Sequence, residues 1–126
     1  MIVLDTSALI AILLREPEAE RCTAAIAGNA ELAMSAGTYA EALIVAQRRS
    51  VAEEMTILLE GLDVEILPLA AADARRVGDA YRLWGKGHHP AGLNYGDCFA
   101  YAAAKALGCP LLYVGDDFAR TDLGAA

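Results

Sequence analysis

The sequence predicts an α/β domain in which parallel strands are joined by helices, and three observations predict it. Short aliphatic runs alternate with longer stretches of helical periodicity. The length of 126 residues suits one domain, residues 1–126, with a real core and is too short for two. Hydrophobic residues make up 56% of the chain, and 27 of them are alanine, a composition that signals closely packed helices and rules out disorder.

Each element follows in order. Ile2-Val3-Leu4 reads as a short buried strand, and Thr6 and Ser7 as caps of a helix from Ala8 to Leu14. Glu16-Pro17-Glu18 breaks that helix and opens a second to about Ala27, ended by Gly28-Asn29. Glu31 to Met34 forms a second strand. Ser35 caps a helix from Ala36 to Arg49 with Tyr39, Leu43 and Ala46 on one face, and Ser50 caps another to about Glu60. Val64 to Leu67 is a third strand, stopped by Pro68. Ala70 to Trp84 is helical, with Ala74, Val77, Tyr81 and Trp84 lining one face. Gly85 to Gly92 is the one long turn-rich stretch and reads as a mobile loop. Asn94 caps an apolar helix to about Leu107, closed by Gly108, and Leu111 to Val114 forms a fourth strand.

Ten Lys+Arg against 17 Asp+Glu give a net charge of -7, which excludes a protein that coats nucleic acid or an anionic membrane through a broad basic field. The three cysteines, Cys22, Cys98 and Cys109, show neither C-x-x-C nor Cys/His ligand spacing, so no disulfide framework or zinc site is expected and a reducing compartment fits. The N-terminal apolar run carries Asp5 and stops at Arg15, short of the roughly 20 residues of a membrane span. A cytoplasmic protein with no membrane role is the expectation.

The acids fall into two kinds of neighbourhood. Glu16, Glu18, Glu20, Glu53, Glu54, Asp73 and Asp79 lie in polar helical stretches and solvate a face. Asp5 instead ends an aliphatic strand, Glu41 interrupts an apolar helix, and Asp97 opens Cys98-Phe99-Ala100-Tyr101-Ala102. A carboxylate in apolar surroundings costs several kcal/mol unless a partner or metal compensates. Lys and Arg are scarce in the same segments, so a cation from outside the chain is the simpler compensation. In a doubly wound sheet, strand ends and the first turns of the following helices meet on one rim. That topology gathers Asp5, Glu41, Asp97 and the Asp116-Asp117 pair after the fourth strand. Carboxylates without His or Cys suit Mg2+ or Mn2+. Two such ions about 3.5 to 4 Å apart activate a water and stabilise the leaving oxygen in phosphodiester cleavage. Each acid also has an ordinary reading: a cap for Asp5, a first-turn acid for Asp97, an arginine partner or solvent for Glu41, a turn for Asp116-Asp117. The joint pattern carries the weight.

Ile2-Val3-Leu4-Asp5-Thr6-Ser7-Ala8-Leu9, Thr38-Tyr39-Ala40-Glu41, Leu93-Asn94-Tyr95-Gly96-Asp97-Cys98-Phe99-Ala100-Tyr101-Ala102 and Leu112-Tyr113-Val114-Gly115-Asp116-Asp117-Phe118 together resemble the PIN-domain family, in particular the VapC-type toxins of bacterial toxin–antitoxin pairs. The likeness runs nearly end to end. It implies a three-layer α/β/α sandwich around a parallel sheet of four to five strands, Mg2+- or Mn2+-dependent endoribonuclease activity, homodimerisation, and inhibition by a cognate VapB-type antitoxin. By position, Asp5, Glu41 and Asp97 match the family's three most recognisable acids. Asp117 is favoured as the fourth, with Asp116 kept as a metal-facing alternative. Thr6 or Ser7 would supply a hydroxyl that orients a carboxylate or a bound water, alongside helix capping. Lys86, His88, His89 and the arginines at 48, 49, 75, 76 and 82 are candidates for guiding an RNA backbone, and each also reads as a solvated surface residue.

Three rivals are weaker. An aspartyl phosphatase of the haloacid-dehalogenase kind has a second Asp two residues after the first, where this chain has Ser7. A nucleotide-binding protein lacks its G-x-x-x-x-G-K-[ST] loop here. A PIN-like module acting only through protein contacts would have lost acids, and none is missing.

Overall fold

The computed structural model describes residues 1–126. Four strands, β1 (Ile2–Leu4), β2 (Leu32–Ser35), β3 (Glu65–Leu67) and β4 (Leu111–Leu112), form one parallel sheet in the order β3-β2-β1-β4. The helices are α1 (Thr6–Leu13), α2 (Ala19–Ala27), α3 (Ala36–Arg48), α4 (Ala52–Leu62), α5 (Ala71–Trp84) and α6 (Tyr95–Leu107), with a 3-10 turn at Phe118–Arg120.

The strands separate two cores, as side chains alternating across a sheet must. Ile2, Leu4, Leu32, Met34 and Leu112 point into a core with Ala8, Leu9, Cys22, Ala42, Met55 and Leu59 of α1 to α4. Val3 and Leu111 point the other way, into Val77, Ala80, Cys98, Phe99 and Tyr101 of α5 and α6. This is the expected three-layer sandwich. The tail runs beside β4, where Leu111 donates to Gly124 O and Ala126 donates back to Leu111 O. Tyr101 anchors that tail by donating to Asp122 (2.7 Å) while accepting from Trp84 Nε1 (2.8 Å).

Several local expectations are corrected. Asp5, not Thr6 or Ser7, caps α1, because its carboxylate reaches Ser7 N–H. Ser50 does not cap α4: its φ of 60° supplies the left-handed residue that ends α3, with Ser50 N–H donating to Gln47 O and Val51 N–H to Ala46 O. The buried face of α5 is Val77 and Ala80, with Trp84 half-buried, while Ala74 and Tyr81 are exposed. The fourth strand stops at Leu112, and the chain turns off toward Gly115, whose φ is 108°. The 85–92 stretch is bonded rather than open. Leu93 donates to Trp84 O and Lys86 to Leu93 O, His88 and His89 both donate to Gly85 O, and the His89 ring packs edgewise on Trp84 at 4.6 Å. Cys22, Cys98 and Cys109 are all unpaired.

Candidate active site

The sheet order makes the site. The chain winds from β1 out to β3 and returns on the far side of β1, so β1 and β4 flank the point where the winding reverses. At such a point the loops leaving neighbouring strands diverge and open a crevice. Asp5 leaves β1 directly into this crevice, and the Asp116-Asp117 turn follows β4. Glu41 reaches it from the second turn of α3, and Asp97 from the first turn of α6.

Asp5 is 4% exposed and carries two different oxygens. Oδ2 accepts from Ser7 N–H (3.1 Å) and Ser7 Oγ–H (2.6 Å), whereas Oδ1 is buried with no partner. Ser7 Oγ in turn accepts from Val114 N–H at 3.0 Å, tying the exit of β4 to the acid at the end of β1. Thr6 performs the parallel service for Glu41, donating to Oε1 at 2.8 Å. Each adjacent hydroxyl therefore grips one acid, and neither serves as the cap of α1.

Asp97 is held by a reciprocal pair across the start of α6: its Oδ2 accepts from Asn94 N–H (3.0 Å) and its N–H donates to Asn94 Oδ1 (2.9 Å). Burial pushes its carboxyl up to about 7, helped by the charges of Asp5, Asp117 and Glu41. Burial likewise pushes Asp5 up to about 6, against the lowering bonds from Ser7 and with a contribution from Glu41. Glu41 lies against Gly96, the neighbour of Asp97, and is bonded to Thr6, the neighbour of Asp5, so these three acids border one crevice, and Asp117 is near enough to add to the charge around Asp97. Asp116 and Asp117 are both exposed, and of the two Asp117 adds to the negative charge around Asp97.

Every ion pair in the molecule lies elsewhere: Asp73–Arg76, Asp79–Arg82 and Lys105–Asp122. No Lys or Arg answers the four clustered acids. A divalent cation fits this donor set, which is all oxygen, negatively charged, half desolvated and left with an orphaned Asp5 Oδ1. As the side chains stand, no three acids converge closely enough to ligate one ion alone. Lys86, His88 and His89 make no hydrogen bond or ion pair with the acids; Lys86 and His88 are exposed and His89 leans on Trp84.

Residue reasoning passed over Gly96, although a glycine in the first turn of a helix between Tyr95 and Asp97 is itself a signal of close approach. A Cβ built there would overlap Glu41 Oε2 and stand 2.7 Å from Glu41 Cδ.

An α/β/α sandwich with an acid-lined crevice at the β1/β4 switch point defines the class. The PIN domain family model matches residues 2–123, and the chain belongs to the PIN-domain family. Within it the near relatives are VapC proteins. The chain is 44% identical over 124 residues to "Ribonuclease VapC30" of Mycobacterium tuberculosis, covering 96% of this chain and 95% of that one. It is 46% identical over 128 residues to "Ribonuclease VapC" of Mycolicibacterium smegmatis, covering 98% of each. Among solved structures, VapC20 of M. tuberculosis, described as a Sarcin-Ricin loop cleaving toxin, superposes with a TM-score of 0.80 at 14% identity, covering 100% of this chain and 98% of that one. VapBC-1 of nontypeable Haemophilus influenzae gives 0.70 at 26% identity, covering 100% and 97%.

Proposed function

We propose that this chain is the toxin of a VapBC-type toxin–antitoxin pair, an endoribonuclease that hydrolyses RNA phosphodiesters with Mg2+ or Mn2+. The observation that carries the reading is a group of carboxylates around the buried Asp5, whose Oδ1 is orphaned, with no lysine or arginine paired to any of them. The names of the relatives support the choice of RNA as substrate.

A divalent ion bound by these acids supplies Lewis acidity at the phosphoryl oxygen and lowers the pKa of an attacking water. The chain's own part is to hold oxygens in place. Asp5 and Asp97 are the principal ligands, and Glu41 and Asp117 complete the shell or orient the water. Asp116 is the alternative to Asp117 as the fourth acid. Ser7 fixes which oxygen of Asp5 is turned inward, since its two donors take Oδ2 and leave Oδ1 free for a ligand. Neither histidine is needed as a general base, because a bound divalent ion would lower the pKa of the water. Lys86, His88 and His89 are proposed to guide the backbone of the RNA only as it approaches.

Thr6→Val removes the only hydrogen bond to Glu41. Outer groups that orient a metal ligand are worth about 10- to 100-fold when lost. Thr6→Val is expected to lower kcat at least about tenfold with a folded circular dichroism spectrum. An unchanged kcat on a fluorescent RNA would remove Thr6 from the mechanism.

The chain is further proposed to form a homodimer and to work in the cytoplasm; no helix is long and apolar enough to cross a membrane. Its partner would be a small antitoxin whose C-terminal segment follows apolar grooves and sets an arginine or lysine near the acids. The solved VapBC complexes of similar fold support such a partner. The test of function is to induce the wild-type and Asp5→Asn chains side by side and map cleaved 5′ ends in cellular RNA. New ends are expected with the wild type alone; equal patterns from both would overturn the nuclease reading.

A further inference from the structure

We propose that Gly96 is a positioning residue for Glu41: the bare Cα of α6 forms a slot in which the carboxylate lies, closed on its other side by the Thr6 hydroxyl. This rests on the nuclease reading above.

The slot is one half of a reciprocal arrangement. Gly37 and Gly96 both stand two residues after the caps Ser35 and Asn94 of their helices. The Phe99 ring of α6 packs against Gly37, where a Cβ would come within 2.6 Å of its Cγ and 2.7 Å of its Cε1. Glu41 of α3 lies on Gly96 in the same way, with its Cδ 2.7 Å from the position of a Cβ. The two helices therefore touch backbone to side chain in both directions, once through an apolar ring and once through a carboxylate. The glycines are not required by backbone conformation. Neither has a positive φ, both sit in regular helix, and alanine is the better helix former. Room for the opposing side chain is the remaining reason.

The two contacts differ in what can yield. Phe99 is a buried member of the α5/α6 core, so moving its ring gives up apolar packing. The Glu41 carboxylate is the end of a flexible chain and can swing aside, so a methyl group at position 96 moves the acid and leaves the core intact. Its Oε1 is bonded to Thr6, so a displaced carboxylate either breaks that bond or turns its free oxygen away from Asp5 and Asp97.

Gly96→Ala and Gly37→Ala separate these roles. Gly96→Ala is expected to keep or raise the thermal midpoint in EDTA, while Mn2+ affinity, read by electron paramagnetic resonance of free Mn2+, falls about tenfold and kcat falls with little change in KM. Gly37→Ala is expected to lower the midpoint. In a Glu41→Ala background, adding Gly96→Ala should change neither Mn2+ affinity nor midpoint by more than helix propensity does. Wild-type Mn2+ affinity and kcat in Gly96→Ala would overturn the inference while leaving the nuclease reading standing. So would an equal loss in the Glu41→Ala background, or a Gly96→Ala chain that fails to fold. A wild-type chain that binds no Mn2+ and cuts no RNA would instead fail the nuclease reading, and this inference with it.

Discussion

Asp97→Asn is expected to abolish RNA cleavage, at least about a hundredfold, and at the same time to make the metal-free protein more stable at pH 8. The two effects have one cause. Asp97 is pushed up to about 7 by burial and by Asp5, Asp117 and Glu41, so at pH 8 it is held ionised against its surroundings. Asparagine keeps an oxygen for Asn94 N–H, retains the shape and drops the charge. A carboxyl whose folded pKa exceeds its unfolded value binds more protons folded than unfolded, so stability falls as pH rises across that interval. Here the interval runs from the ordinary 3.8 to about 7, and at pH 8 the whole penalty is present. Allowing for partial exposure, its removal is worth about 1–2 kcal/mol. A melting curve in EDTA at pH 8 reads this directly. A destabilised Asp97→Asn chain would show that Asp97 is a structural cap whose charge the fold favours. A stable chain that still cleaves RNA would show that it is no ligand.

Divalent ions and protons should compete for the same oxygens, which is the second large effect. At pH 8 both Asp5 and Asp97 are ionised and available; near pH 5 both are mostly protonated, given values of about 6 and about 7. Each acid that must lose a proton to bind a metal weakens apparent affinity about tenfold per pH unit below its pKa. Mn2+ affinity is thus expected to drop at least about a hundredfold from pH 8 to pH 5. Without metal the opposite slope holds: the folded chain gains stability as pH falls from about 7 toward 4, because both raised carboxyls take up protons. At a Mn2+ concentration about 100 times Kd, stabilisation is about 2.7 kcal/mol, lost again on chelation. Calorimetry of Mn2+ binding at the two pH values and melts with and without EDTA measure both slopes. An affinity that is flat with pH would mean that these acids are not the ligands.

Much of this site was legible along the chain because its acids are anomalous there. Asp5, Glu41 and Asp97 each interrupt a run of aliphatic or small residues, and burial of a carboxylate is costly enough that such placement needs a reason. The strands and helices were legible for a similar cause, since periodicity and glycine, proline and serine punctuation act over a few residues. Errors fell where two local roles compete for one residue. Asp5 is both a cap and a buried acid, and the capping of α1 could be read onto it or onto Thr6 and Ser7. Ser50 has a good capping side chain, but the turn needed a left-handed residue at that place. Lys86, His88 and His89 looked like a free basic loop, yet backbone bonds to Gly85 and Leu93 and the Trp84 ring fold that segment onto the domain.

The amino-acid sequence by itself determined the class of fold and singled out the acids proposed to hold a cation. Those are properties of composition and short-range pattern. Tertiary structure alone decided which partners the acids have: Thr6 on Glu41, Ser7 on Asp5 and β4, and Gly96 beneath Glu41. Apart from the local pairing of Ser7 with Asp5, these join distant segments: Thr6 and Glu41 meet because β1 and β2 are neighbours in the sheet, and Ser7 with β4 and Gly96 with Glu41 because the chain returns from β3 past β1. A contact across such a crossover is set by the spacing and direction of whole helices, which no window of neighbouring residues encodes.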